Sequence, residues 1–263
     1  MLKTEIVDAI ANELLMAEKE RKAIPTFADK YPELDADLAY TVQERLIEMK
    51  VEKEKTKRVG WKLGLTSKAK QEMIGVNEPS YGVLLENMQL FENEPLSVAP
   101  FIHAKIEPEI AFIFKEEVKG PHVTVADVMN AAGGIAPALE IIDSRFQNFK
   151  FSHPDAVADN SSSSRFIIGE RFFDPSSMDL RLLGMVFRQN GQILSTAAGA
   201  AVMGHPARAV AWLANKLYQR GQSIRPGEVV LSGAICASKE IAAGDHFSVS
   251  FDRIGSVEVS FVE

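Results

Sequence analysis

Apolar positions recur at helical spacing over the first fifty residues and then change period. Ile6, Ile10 and Leu14 mark one face of a helix. Leu38, Val42 and Leu46 mark another, with Asp37 as the expected N-cap. "VEKEKTKR" reads as a solvated helix end or loop, and "SKAKQEMIG" as a short helix from Ser67 to a stop at Gly75. Beyond that point the runs shorten, become β-rich and are bounded by turn residues: "IEPEIAFIF", "APALEII", "LLGMVFR", "QILST", "EVVLSG", "HFSVSF" and "SVEVSFVE". Asn190-Gly191 in "RQNGQ" predicts a tight hairpin. Two helices interrupt the strands. One follows Thr124, with Asp127 completing a capping box; the other begins at Pro206 and stops before Gly221. The pattern predicts an α+β protein, with a helical N-terminal region over 1–75 and a mixed-β body over 76–263, without repeats or low-complexity linkers.

Composition changes this picture little. A chain of 263 residues, 46% hydrophobic and 25% charged, is ordinary for a globular domain. A net charge of −7 without a basic cluster argues against nucleic acid as a partner. No apolar run reaches membrane-spanning length, and the acids within "MLKTEIVDAIANELL" are unlike a signal peptide, so a cytoplasmic location is expected. Cys236 is the single cysteine, which excludes an internal disulfide; it reads as a small buried residue.

Candidate chemistry begins with "AKIEPEIAFIF". On a strand, Lys105, Glu107 and Glu109 share one parity, while Ile106, Ile110 and Phe112 share the other. Two acids on one face repel unless a cation or solvent compensates. Pro108 suits an edge strand with a solvated face. Glu140, inside the apolar run "APALEIID", is the kind of third oxygen donor that a hard divalent ion requires. Both readings stay open at this point. Lys62 in "VGWKLGLT" is either a lysine whose head reaches water or a buried one able to move a proton or steady an enolate. The stretch "IIDSRFQNFKF" brings Asp143, Arg145 and Lys150, and "DAVADNSSSSRFIIG" reads as a loop presenting Ser161, Ser162 and Arg165. His205, at a helix start, reads as a cap or packing residue rather than a catalyst.

Seven segments, in order between Val59 and Ile235, resemble one family: "VGWKLGLTS", "IGVNEPSYGVL", "HAKIEPEIAF", "PALEIIDSRFQNFKF", "VADNSSSSRFIIG", "GAAVMGHPARAVAWLAN" and "GEVVLSGAI". The resemblance is to the 4-oxalocrotonate decarboxylase and 2-oxopent-4-enoate hydratase group of the fumarylacetoacetate hydrolase superfamily. It implies that superfamily's mixed-β, roll-like catalytic body. It also implies Mg²⁺ or Mn²⁺ held by Glu107, Glu109 and Glu140, with Lys62 beside it as the catalytic residue. Arg145, Lys150, Ser161, Ser162 and Arg165 would bind a 2-oxo dicarboxylic acid. Hydratases of the group typically carry an aspartate in a D-Q-P-D-F-G type segment; here "NEPSYG" puts Ser80 there, with Glu78 two residues away. Arg165 stands where hydratases tend to have small residues. Decarboxylation of 4-oxalocrotonate is therefore the expected reaction, with hydration of 2-oxopent-4-enoate as the alternative. A non-catalytic partner in a decarboxylase–hydratase complex is the alternative of another class. A homo-oligomer, and a complex with a paralogous hydratase, are expected partners.

Overall fold

In this computed structural model, residues 3–68, 71, 72, 75–92 and 94–263 are described. Helix α1 (Lys3–Glu20) buries Ile6, Ile10 and Leu14 against α2 (Ala36–Glu54). The N-cap of α2 is Asp35, whose carboxylate accepts from Leu38 N, and not the expected Asp37. Asp35 has the extended backbone (φ −87°, ψ 177°) that turns a cap side chain onto the third helical N–H. Asp37 lies inside the first turn, where an acid complements the helix dipole. The short helix expected from Ser67 to Gly75 lies partly outside the described residues.

Two sheets form the body. The larger runs in the order β2 (Ser80–Leu85), β1 (Arg58–Gly64), β10 (Val229–Leu231), β5 (Lys105–Phe114), β6 (Ala132–Ile142), β7 (Ser163–Ile168) and β3 (Gln89–Leu90), and β11 (Lys239–Glu240) also pairs with β5. The smaller runs β4 (Leu96–Ser97), β13 (Gly255–Val262), β12 (His246–Phe251), β8 (Gly184–Gln189) and β9 (Gln192–Ala198). Strands β12 and β13 pack across β6, which closes a core that includes Ile106, Ile110, Phe112, Leu139 and Phe247, all fully buried. The β8–β9 hairpin turns on Asn190 (φ 51°) and Gly191 (φ 80°), both left-handed as a tight turn of this kind requires.

Helix α3 (Val125–Ala131) carries the Thr124/Asp127 capping box, and α5 (Pro206–Tyr218) is capped by the His205 side chain, which accepts from Ala207 N. A further helix, α4 (His153–Ala158), occupies part of the stretch read as loop. Its signal is present in the sequence: Ser152 and Asp155 form a second capping box, with Pro154 in the first turn.

The expected division at residue 75 does not follow the sheet. Strand β1 lies within 1–75, yet it pairs in parallel with β10 and antiparallel with β2 in the larger sheet. The helices share the same core cluster: Gln43 of α2 donates to Tyr81 O of β2 (2.9 Å) and to Val157 O of α4 (2.8 Å). Pro108 lies in β5, which is flanked on both sides. Its carbonyl accepts from Ile235 N in the gap between β10 and β11, so the proline's missing N–H removes no ladder bond. Among the described residues, no helix is long and apolar enough to cross a membrane.

Candidate active site

Strand register assembles the acids. Glu107 of β5 is paired directly with Glu140 of β6, and Glu109 with Ala138, so all three carboxylates rise from one face of the larger sheet. Their exposures are 4% for Glu107 and 0% for both Glu109 and Glu140, which removes the solvated-face reading. One oxygen from each can be chosen so that all three lie within 4.8 Å of one another. Strand β1 brings Lys62 onto the same face through the pairing Lys62↔Leu231, Leu231↔Ala111. At 2% exposure Lys62 does not reach water. Its Nζ lies 3.1 Å from Glu140 Oε2 and donates to Ser161 O at 3.0 Å.

Charge balance inside this cluster is incomplete. Burial, reinforced by Glu140 and Glu107, pushes the Glu109 carboxyl well above the usual carboxylate range, against Lys62 and the Gly233 N–H (2.6 Å). Burial raises Glu140 too, against the opposing pull of Lys62. Burial alone would lower Lys62, but Glu140, Glu107 and Glu109 outweigh it and hold the ammonium above its ordinary value. Glu109 Oε1 is buried without a hydrogen-bond partner among the described residues. Glu140 Oε2 likewise accepts no hydrogen bond there, although Lys62 Nζ is close to it, and three buried carboxylates with such oxygens are a donor set of the kind that hard divalent cations occupy.

The loop opposite is wound left-handed over three non-glycine residues: Asn160 (φ 51°), Ser161 (φ 49°) and Ser162 (φ 58°). Such a run is costly unless the surroundings hold it. Here the Asn160 side chain pairs with the Val83 backbone like another strand, accepting from N at 2.7 Å and donating to O at 3.0 Å. Gly82 is required beneath it, since a Cβ there would meet Asn160 O at 2.5 Å. The turn aims Ser161 O at Lys62, and Ser161 Oγ lies 3.0 Å from Ser80 Oγ.

The cluster opens onto a cavity of about 620 Å³ through Glu107 and Lys62, while Glu109 and Glu140 lie behind its wall. Lys62, Glu107, Ser80, Ser161, Ser162 and Lys150 are on its wall, together with apolar Leu63, Leu65, Ile142, Phe149 and Phe151. Two expected substrate contacts are elsewhere. Arg145 is 1% exposed, and its guanidinium is engaged by Asp159 Oδ1, Asp159 O (2.5 Å) and Asp143 O (2.7 Å), so it braces the loop from behind. Arg165 has a flank in a separate cleft with Glu18, Arg21, Ala99 and Pro100, and donates to Ser164 O at 2.8 Å. Glu78 is off the cavity wall, paired with Lys216 at 3.1 Å. Cys236 is half-buried rather than buried. Two residues the sequence reading left without a role belong to the site: Asn160, hidden in a serine-rich run, and Lys105, whose strand parity was its signal.

The family profile described as "Fumarylacetoacetate (FAA) hydrolase C-terminal" matches residues 61–262. A 4-oxalocrotonate decarboxylase of Pseudomonas putida is 40% identical, over 99% of this chain and 98% of its own length. A 2-hydroxyhexa-2,4-dienoate hydratase of Comamonas testosteroni is 36% identical, over 98% of each chain. The solved structure of a 4-oxalocrotonate decarboxylase from Pseudomonas putida G7, complexed with magnesium and adipate, is similar at a TM-score of 0.95 and 39% identity, covering 100% of this chain and 99% of that one.

Proposed function

We propose that this chain, which belongs to the fumarylacetoacetate hydrolase family and within it to the group of 4-oxalocrotonate decarboxylases and 2-oxopent-4-enoate hydratases, is a divalent-metal-dependent lyase that decarboxylates 4-oxalocrotonate. The products are 2-hydroxypenta-2,4-dienoate and CO₂, a step in the breakdown of aromatic ring-cleavage products. The observation that carries the reading is Ser80. The cavity wall has a buried hydroxyl, hydrogen-bonded to Ser161, where hydration of the diene would call for a carboxylic acid, and Glu78 is tied to Lys216 off that wall.

Glu107, Glu109 and Glu140 would hold Mg²⁺ or Mn²⁺. Bound there, the cation supplies Lewis-acid stabilisation of the negative charge that develops on the substrate's C2 oxygen. The chain's own residues do the rest. The C5–C6 bond of the substrate breaks, CO₂ leaves, and the electron pair moves through C4 and C3 to the C2 oxygen. The atom balance then needs one proton. Lys62, held as an ammonium by the surrounding acids, is ion-paired with Glu140, donates one N–H to Ser161 O, and is the donor to that oxygen. Leu63, Leu65, Ile142 and Phe151 give the cavity apolar walls that exclude water from the reacting carbon chain. Lys150, Ser161 and Ser162, on the cavity wall, carry the substrate-binding role. Arg145 and Arg165 do not, for the reasons of geometry given above.

The test is to supply purified protein and Mg²⁺ with 4-oxalocrotonate and, separately, with 2-hydroxypenta-2,4-dienoate. Release of CO₂ with little consumption of the diene is expected. Faster hydration of the diene than CO₂ release would overturn the reading.

A further inference from the structure

A dicarboxylate bound in this cavity needs a second anchor, because the acid cluster, loaded with a cation, holds only the 2-oxo acid end. The two arginines expected to supply that anchor are engaged elsewhere. We propose that Lys105 is the specificity-determining residue that recognises the distal carboxylate. The inference rests on the reading of the cavity as a site for a metal-bound 2-oxo acid.

Three observations converge on Lys105. It stands on β5 two residues before Glu107, on the same face as Glu107 and Glu109, and paired with Ile142, which also lines the cavity. Two residues of antiparallel strand advance roughly 6.8 Å. That is about the separation of the carboxyl groups in an extended six-carbon diacid, so the register that sets the acids also sets the spacing to the ammonium. The Lys105 side chain is 25% exposed, and its Nζ lies over the Phe149 ring at 4.4 Å, a contact that steers the charge without neutralising it. Finally, a carboxylate already stands beside this ammonium. Glu240 Oε1 is 3.9 Å from Lys105 Nζ, and the Glu240 side chain is 86% exposed. A pair so long and so wet contributes little, so a ligand carboxylate displaces it at small cost. Lys105, Asn148 and Phe149 line both the main cavity and an outer cleft that contains Glu240. Glu240 thus acts as an outer stand-in for the ligand. Lys150, also on the wall, is exposed, follows an irregular turn and makes no side-chain ion pair among the described residues, so nothing fixes its ammonium at a defined distance from the acids.

Equilibrium binding separates this inference from the reaction. Two non-reactive ligands share the chelating end and differ only at the far end: 2-oxohexanedioate and 2-oxohexanoate. Both are titrated calorimetrically into Mg²⁺-loaded protein. Wild type is expected to prefer the diacid by at least about 10-fold, the lower range of a charge-assisted hydrogen bond. Lys105→Met brings that ratio near one and leaves monoacid affinity within about 2-fold, Lys105→Arg retains most of the ratio, and Glu240→Gln tightens the diacid alone. An unchanged ratio in Lys105→Met, or its loss in Lys150→Met instead, overturns the role of Lys105 while the 2-oxo acid reading stands. Failure of both ligands to bind Mg²⁺-loaded wild type overturns both.

Discussion

Replacing Lys62 by Met removes one charge from the centre of the site and leaves most of the side chain's apolar stem in place. The perturbation has two consequences of opposite sign. The Lys62 ammonium is 3.1 Å from Glu140 Oε2; at that distance two unit charges interact by roughly 5 kcal/mol at an effective dielectric of about 20. That attraction is lost, and Ser161 O loses its donor at a cost of about 1 kcal/mol. Metal-free Lys62→Met therefore has three buried acids without their lysine and melts well below wild type. The same lysine repels a divalent cation placed among those acids, so its removal should leave Mg²⁺ affinity unchanged or make it tighter. Mg²⁺ should then restore more stability to the variant than to wild type, which thermal melts with and without the ion will report. Turnover should move the other way. A positioned proton donor contributes typically 10²–10⁴-fold, or about 2.7–5.4 kcal/mol of barrier. CO₂ release by the Mg²⁺-saturated variant should fall within that range. A fall of only a few-fold would refute the catalytic role. A loss of Mg²⁺ affinity that tracks the loss of turnover would show instead that Lys62 builds the acid cluster and does not act in the reaction.

Glu109→Gln should weaken Mg²⁺ binding by more than the roughly 10–100-fold typical of an outer-shell change, and abolish CO₂ release. Without metal it should melt no lower than wild type at pH 8, since ionised Glu109 is disfavoured in the fold by burial and by its acidic neighbours; a lower melting point would show that the acid is needed for folding. Glu18→Gln tests the helical region: it strands Lys50, 2% exposed and paired with Glu18, at a cost of about 2–3 kcal/mol in urea unfolding at pH 7, and adding Lys50→Met should recover most of it. Although burial opposes it, the lysine holds the Glu18 carboxyl down at about 2, so its contribution is full above the ordinary pKa and is lost as pH falls toward 2. With the side chain about a third exposed, that loss should be about 1–2 kcal/mol, and absent from Glu18→Gln.

The acid cluster was legible because a strand has a strict parity: once "IEPEIAFIF" is a strand, Glu107 and Glu109 must share a face. Glu140 was legible because an acid flanked by apolar residues has to find a partner. The pairing that makes Glu107 and Glu140 direct neighbours was not, since strand order and register depend on the whole sheet. Lys62 stayed ambiguous for a similar reason: a lysine among apolar neighbours snorkels unless two layers cover it, and here β2 and the 160–162 turn do so. The arginines were misplaced because charge was read without direction. Arg145 follows a strand end and Arg165 lies at a bulge between β6 and β7, where side-chain orientation no longer follows from counting residues. Strand β1 was missed as part of the body because its glycines weaken the β signal. One of them, Gly60, is there because a Cβ would fall 2.0 Å from Val229 O of β10.

Carboxylates that repel in a dry site cost stability, and the fold places that cost where its own structure is firmest. Glu107 and Glu109 alternate with Ile106 and Ile110, which are fully buried on the opposite face; Glu140 stands between Leu139 and Ile141, equally buried. Turning any one acid outward would turn its strand neighbours into water, and with side chains of period two a one-residue slip would expose the whole apolar set. At about 1.5–3 kcal/mol for each large apolar side chain, exposing Ile106, Ile110, Leu139 and Ile141 together would cost about 6–12 kcal/mol. The register of the sheet therefore holds the three acids together against their mutual repulsion. The left-handed 160–162 turn is held by the same logic, through Asn160 on the β2 backbone, so Lys62 is directed by a carbonyl whose position is fixed by the sheet and not by the ligand.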